Sequence, residues 1–354
     1  MSWYPKISTG QLSFFKHIPK VELHRHLEGS LRLDTLREVA EAYDIPLPGE
    51  AFRNLVQIQH GETLNFTNFL SKFSILRQFY RSPEVIQRIT REAIEDAAAD
   101  NVAYLELRFT PVALTRLQGF SLVEAMDWVT RTTEEASNQN GIETRLIVSI
   151  NRHEPVELAE SVAQLAVDYL APHMNGGVVA IDLAGSEADH PAAPFAGIFR
   201  EAVQSGLRVT LHAGEWGPAW HIRQAIEEFG AERVGHGVRI LDDPAVVALA
   251  RERGTIFEVC VTSNYHSGVI SALTDHPLAC MINNDLKLTI NTDDPGISGI
   301  TLSDEYRILL EPLGITQLAL KNCILNAAQA AFLPKKETNQ LVQTLKARLD
   351  QILE

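Results

Sequence analysis

Eight short runs of mostly apolar, β-branched residues recur along this chain, each set off from the next by a helical pattern. That alternation restricts the fold more than any other feature. The runs are Val21–His24, Val102–Phe109, Arg145–Ile150, Val178–Leu183, Leu207–His212, Arg233–His236, Thr255–Cys260 and Leu286–Asn291. They do not alternate apolar with polar, so they read as parallel strands covered on both faces. Helical segments lie between them, among them Ser121–Gln139, Pro155–Tyr169 and Pro244–Arg253. The last follows two aspartates, an acidic cap with proline in the first turn. Strands alternating with helices predict an α/β fold, and eight of them a (β/α)8 TIM barrel. A doubly wound open sheet is the simpler alternative, and it would not need eight strands. Leu31 to Asp100 is too long for one barrel helix, so this insertion of about 31–100 is expected to set extra helices over the C-terminal mouth. No repeat, low-complexity tract or Gly/Ser linker marks a boundary, so residues 1–354 are expected to form a single domain.

Composition excludes several partners. Lys and Arg number 31 against 45 Asp and Glu, a net charge of −14. Such a chain lacks the basic footprint that nucleic-acid backbones or anionic membranes require. Small neutral or cationic substrates remain open. The three cysteines (Cys260, Cys280, Cys323) are odd in number and widely spaced, which argues against a disulfide framework and for a reducing compartment. The first 20 residues hold no leader-like apolar core, and no stretch approaches the roughly 20 apolar residues of a membrane span. Cytoplasm is the expected location.

The unusual residues gather at the ends of the runs. His24 and His26 close the first, His212 and Glu215 the fifth, His236 the sixth, and Asp293 with Asp294 the eighth. In a barrel these are C-terminal strand ends, where active sites are built. His24 and His26 share one strand face, because side chains repeat every second residue. An isolated H-x-H pair is weak evidence, but His212 and Asp293 at two other strand ends strengthen it. Three imidazoles and a carboxylate suit Zn2+ with a position left for water, whose pKa the metal would lower to about 7. Glu215, three residues after His212, is a candidate general acid; a solvated loop carboxylate is the bland reading. His236, between two glycines, is a fourth ligand, a packed core histidine, or a partner of the attacking water, and the last is favoured. Asp293 and Asp294 are adjacent and are expected to leave the strand on opposite faces, dividing metal from substrate. Asp294 could instead only cap a helix. Asp182 could orient a ligating histidine, and Gly185 could offer an amide N–H or serve only as a turn. Phe66, Phe69, Leu70 and Phe73 have helical spacing, which usually means plain packing but over a barrel mouth could wall an apolar pocket.

These residues carry a resemblance. Pro19–Ser30 (PKVELHRHLEGS), Ala180–Glu187 (AIDLAGSE), Leu211–Glu215 (LHAGE), Val234–Gly237 (VGHG) and Asn291–Pro295 (NTDDP) together resemble the adenosine deaminase family. Weaker matches at Tyr104–Pro111 and Asn326–Pro334 extend the similarity from about residue 19 to about 335. The resemblance implies a zinc barrel that hydrolyses adenosine and deoxyadenosine to inosine-type products and ammonia by a zinc-activated hydroxide. It implies that one Zn2+ is bound by His24, His26, His212 and Asp293. Glu215 would protonate purine N1, and His236 with Asp293 would orient the hydroxide. Asp294 would face N7, the Gly185 amide N3, and Glu28 the ribose. His26, Phe69 and Phe73 would also border the substrate. The cytidine-deaminase signature H-x-E…P-C-x-x-C is absent.

Two departures stand out. Adenosine deaminases usually carry Asp where this chain has Glu28, whereas Glu occurs in adenine deaminases and related branches. Deamination of free adenine or of a modified adenine nucleoside is therefore the alternative. The GISGITLSDEY run after NTDDP resembles the adenosine type. Val261 stands where the family commonly has Pro. No basic cluster lies near the motifs, so AMP is not expected as a substrate. A purine-binding barrel without turnover is the contrasting class, and the metal set with Glu215 argues against it.

Overall fold

All eight runs form strands in the computed structural model, which describes residues 9–353. Residues 1–8, part of the N-terminal stretch read above as lacking a leader, lie outside the described residues. The strands are β1 (Lys20–His26), β2 (Val102–Phe109), β3 (Glu143–Asn151), β4 (Val178–Ala184), β5 (Arg208–Ala213), β6 (Arg233–His236), β7 (Ile256–Val259) and β8 (Lys287–Ile290). They pair in chain order, every pair parallel. The sheet curls round until its last strand approaches its first, giving the (β/α)8 TIM barrel.

Closure is made by residues just past β8. Asn291 Oδ1 accepts from the Leu23 N–H at 2.8 Å. The Asp293 N–H donates to the His24 carbonyl at 3.0 Å, and the His26 N–H donates to the Asp293 carbonyl at 2.8 Å. A candidate metal ligand thus joins the barrel's two edges through its own backbone.

Helices cover the outside, and their ends follow local chemistry. Ser121 and Glu124 form a reciprocal capping box that starts the helix Leu122–Asn140, and Gly141 ends it in the left-handed conformation. Asp243 accepts from the Ala245 N–H to start Pro244–Arg253. The region after β1 holds the helices Leu33–Ala42, Phe52–Val56, Phe66–Leu76 and Pro83–Ala99. Pro83–Ala99 packs on Leu122–Asn140 and leads into β2.

Inside the barrel the runs are less apolar than their overall composition suggests. Arg108 on β2 meets Asp182 on β4 at 3.3 Å and Glu258 on β7 at 2.7 Å. Arg233 on β6 meets Glu258 at 2.7 Å and also pairs with Glu106 on β2. Only inward-pointing side chains can meet across strands that are not neighbours. All five are buried, so each charge depends on its partners to offset desolvation.

Candidate active site

The C-terminal strand ends place four imidazoles and one carboxylate around a single point. One donor atom from each of His24, His212, His236 and Asp293 lies within 4.8 Å of the others. His26 joins the same group: its Nε2 lies 3.3 Å from both His212 Nε2 and Asp293 Oδ1. His24 Nε2 is also 3.3 Å from Asp293 Oδ1. His24 and His26 do share a strand face, while Arg25 between them turns to Ser30 and Glu22.

Two outer carboxylates orient the cage. His24 Nδ1 meets Glu258 at 2.7 Å, and His212 Nδ1 meets Asp182 at 2.9 Å, so both rings aim Nε2 inward. That is the usual arrangement around a ligating histidine. His24 Nε2 is buried and makes no hydrogen bond, an orphan nitrogen aimed into the cage. Nitrogen and oxygen donors in this number fit zinc. Burial would raise the Asp293 carboxyl, but the imidazoles of His24 and His26 beside it hold it well below its ordinary value. Ser263 Oγ donates to its other oxygen at 2.6 Å.

Asp293 and Asp294 do not divide between opposite faces as the strand argument expected. β8 has already ended at Ile290, and Asp293 adopts a positive φ of 62°. Both carboxylates therefore line one cavity of about 310 Å3, within the usual range for small-molecule sites. Asp294 precedes the short helix Pro295–Ser298 but makes no side-chain cap, and its buried Oδ1 has no partner. Burial, then Asp293, Glu28 and Glu215, push its carboxyl well above the ordinary range.

Glu215 is largely enclosed, its side chain 12% exposed, rather than solvated. Its Oε1 accepts from Asn264 Nδ2 at 3.2 Å, and its Oε2 lies 3.6 Å from His236 Nε2. Burial and the charges of Asp293 and Glu187 raise its carboxyl well above the ordinary range, which favours its protonated form. Glu28 is buried too; burial pushes it up to about 7 although the Thr110 N–H donates to Oε1 at 2.6 Å. Its Oε2 is unpartnered.

The cavity wall comes from the helix Phe66–Leu76, whose Phe66, Phe69, Leu70 and Phe73 all border it. Gly185, with φ 91°, borders it just past the end of β4. Basic groups were not expected here, yet Arg77, His153 and His190 also line the cavity. They come from the insertion and from loops after β3 and β4, so proximity to the motifs in sequence could not reveal them. A larger cleft of about 620 Å3 lies elsewhere, lined by Arg32, Arg37, Asp34, Asp96 and Asp100 among others. Its basic and acidic groups largely pair with one another, and it holds no histidine, so it lacks the cage's chemistry.

Several supporting residues escaped the sequence reading. Glu187 accepts from the N–H groups of Gly214, Glu215, Trp216 and Gly217 at 2.6–3.1 Å, and so shapes the loop that carries Glu215. Glu258, Ser263, Asn264 and Arg152 act similarly, the last through the His212 carbonyl. Glu187 ends the AIDLAGSE segment, which is its one signal in the sequence.

A family profile described as adenosine deaminase matches residues 19–348. An adenosine deaminase of Clostridium botulinum (strain 657 / Type Ba4) is 34% identical over 329 residues, covering 92% of this chain and 98% of that protein. A zinc-bound amidohydrolase from Burkholderia ambifaria superposes with a TM-score of 0.89 at 27% identity, covering 99% of this chain and 95% of its own. The Arabidopsis protein ADAL, solved with IMP, superposes with a TM-score of 0.84 at 27% identity over 96% of this chain and all of its own.

Proposed function

The chain belongs to the adenosine deaminase family, and from that premise we propose that it converts adenosine and deoxyadenosine, with water, to inosine or deoxyinosine and ammonia. The observation that carries this reading is the pair of carboxyls raised well above their ordinary range, Glu215 and Asp294, in one cavity beside the histidine–aspartate cage. A purine ring presents lone pairs at N1, N3 and N7. Glu215, the Gly185 amide and Asp294 supply one donor for each.

His24, His26, His212 and Asp293 would hold zinc, which the orphaned His24 Nε2 and the two outer carboxylates support. Bound zinc supplies the Lewis acidity that makes water nucleophilic near neutral pH. His236 and Asp293 orient the attacking water towards C6. Glu215 gives its proton to N1, which breaks the ring's aromaticity and prepares C6 for attack. Asp294 donates to N7, and Phe69 and Phe73 exclude bulk water from the sugar side. Glu28 takes a ribose hydroxyl on its unpartnered Oε2. The attacking water gives up two protons as its oxygen bonds to C6: one goes to the amino group, which leaves as ammonia when the C6–N bond breaks, and the other restores Glu215.

Cytoplasm is the compartment proposed, supported by the unpaired Cys260, Cys280 and Cys323. No described helix is long and apolar enough to cross a membrane.

A second reading has a specific observation in its favour. Arg77 lines the cavity near Glu28 with no ion-pair partner among the described residues, and its buried Nε makes no hydrogen bond. With His153 and His190 it could take a 5′-phosphate, as the IMP complex of ADAL suggests. Ultraviolet assays of kcat/KM on adenosine, deoxyadenosine, adenine and AMP decide between the readings. Adenosine should rank first. AMP ahead of adenosine, with the advantage lost in Arg77→Met, would transfer the assignment to nucleotides.

A further inference from the structure

The role of His236 in the cage depends on which ring nitrogen carries its proton. A lone pair at Nε2 would make it a metal ligand, whereas an N–H there would make it a hydrogen-bond donor to the reacting atoms. A chain of contacts running away from the cage decides between them.

The far end is the backbone N–H of Leu278, which lies 3.1 Å from His276 Nδ1. An amide N–H can only donate, so His276 Nδ1 carries the lone pair. Burial pulls the His276 ring down to about 3, so it is neutral at working pH and its proton sits on Nε2. That Nε2 faces Asn264 Oδ1 at 3.4 Å, a long contact but a polar one in a fully buried place. The alternative amide orientation would set the Asn264 NH2 against the His276 N–H, donor against donor. Oδ1 therefore points to His276 and Nδ2 to the other side.

On that other side Nδ2 has two acceptors and two protons. One goes to Glu215 Oε1 at 3.2 Å, the other to His236 Nδ1 at 3.1 Å. His236 Nδ1 must then be an acceptor. We propose that Asn264 and His276 are positioning residues that lock His236 as its Nε2–H tautomer, so that it meets the reacting atoms as a donor. The same lock separates the two possible ligand sets: while neutral, His236 has no lone pair to offer the metal, and His26 completes the cage. Asn264 sits on the helix Val261–His266 and His276 just before Leu278–Asn283, so two elements outside the strand ends set the polarity of one active-site ring. The catalytic consequence rests on the deaminase reading; the tautomer does not.

Nitrogen NMR of 15N-histidine protein, with the His236 signals identified by their loss in His236→Gln, tests the lock directly, in metal-free and zinc-loaded protein. Wild type should show a protonated, pyrrole-type Nε2 and an unprotonated Nδ1 at His236. Asn264→Asp puts an acceptor where the donor was, so the signature should reverse. In the same variant kcat for adenosine should fall at least about 10²-fold, the scale of one lost transition-state donor, with KM changed far less. His276→Leu frees the amide to flip and should cost roughly 10-fold, whereas His276→Gln, which can still donate, should restore most of it. A wild-type His236 protonated at Nδ1, or an unchanged signature in Asn264→Asp, overturns the proposal. Should either variant fail to fold, the wild-type spectrum alone decides. A correct signature in a protein inert towards adenosine would sink the deaminase reading and leave the lock standing.

Discussion

His236 and Asp293 both hold their backbones in the left-handed region, at φ 63° and 62°, which non-glycine residues enter at a cost of about 1–3 kcal/mol each. Asp293 is kept there by two backbone bonds to β1, so barrel closure itself offsets the strain. The side chains follow from that geometry, and each supports a distinct expectation. Glu215→Gln should keep stoichiometric zinc yet lose at least about 10²-fold in kcat, the usual scale of a general acid; loss of metal would make Glu215 a ligand instead. Glu28→Ala leaves a ribose hydroxyl unpaired in a dry pocket, costing about 1–3 kcal/mol, so kcat/KM for adenosine should fall roughly 10–100-fold. Free adenine, which has no ribose, should be affected less, and Glu28→Asp should be mildest. Equal losses on both substrates would remove Glu28 from the ribose. At this scale the sequence was readable wherever chemistry sits on a strand end: the two H-x-H histidines, His212, Glu215 and Asp293 all meet. Glu258, Asn264 and His276 were not readable, because their partners lie up to hundreds of residues away and no spacing links them. The Asp293–Asp294 rule failed because the strand had ended and the backbone had turned.

The strands bring these residues together with little room to spare. At Gly235 on β6 an added Cβ would lie 2.8 Å from His24 Cε1 and 3.4 Å from the His212 Cα. The glycine is there so that two candidate ligands can approach across the barrel. Gly235→Ala should therefore displace the His24 ring and weaken zinc binding by roughly 10–100-fold in competition with a chelator, the scale of a disturbed ligand environment. Unchanged affinity would mean that the cage is looser than the contacts imply. Gly29 has the same function beside Asp294, where a Cβ would fall 1.8 Å from Oδ1. Element identity was legible because long apolar runs and helical patterns are strong signals; β2, β6 and Pro244–Arg253 agree to the residue. Edges elsewhere differ by a residue or two, since ladder pairing rather than composition ends a strand. The inward-facing charges of Glu106, Arg108 and Glu258 were hidden inside runs that read as apolar, because partners on non-adjacent strands satisfy them.

Across the whole molecule some of the 45 acidic residues are buried, and burial raises their carboxyls above the ordinary range. Glu305, away from the cage, is pushed up to about 8 by burial, although the Thr262 N–H donates to it at 3.1 Å. Below its ordinary value of 4.5 both folded and unfolded chains hold this proton, and stability is undiminished. As pH rises from there to about 8 the folded chain keeps a proton that the unfolded chain has lost, so stability falls with pH. Glu305→Gln removes that dependence and should raise the melting temperature at pH 8.5 but hardly at pH 5, a differential on the order of 4 kcal/mol. Equal shifts at both pH values would contradict it. The eightfold barrel was legible in the sequence as an alternation. Closure through Asp293, and the placing of Arg77 beside Glu28, depend on the assembled fold and were not. The central claim is that one zinc ion in the histidine–aspartate cage turns this barrel into an adenosine hydrolase. The most direct measurement is the rate of adenosine loss as zinc is returned to metal-free protein. The rate should start near zero, rise linearly and level off at one zinc per chain. Full activity before any zinc is added, or no inosine with one equivalent bound, would contradict it.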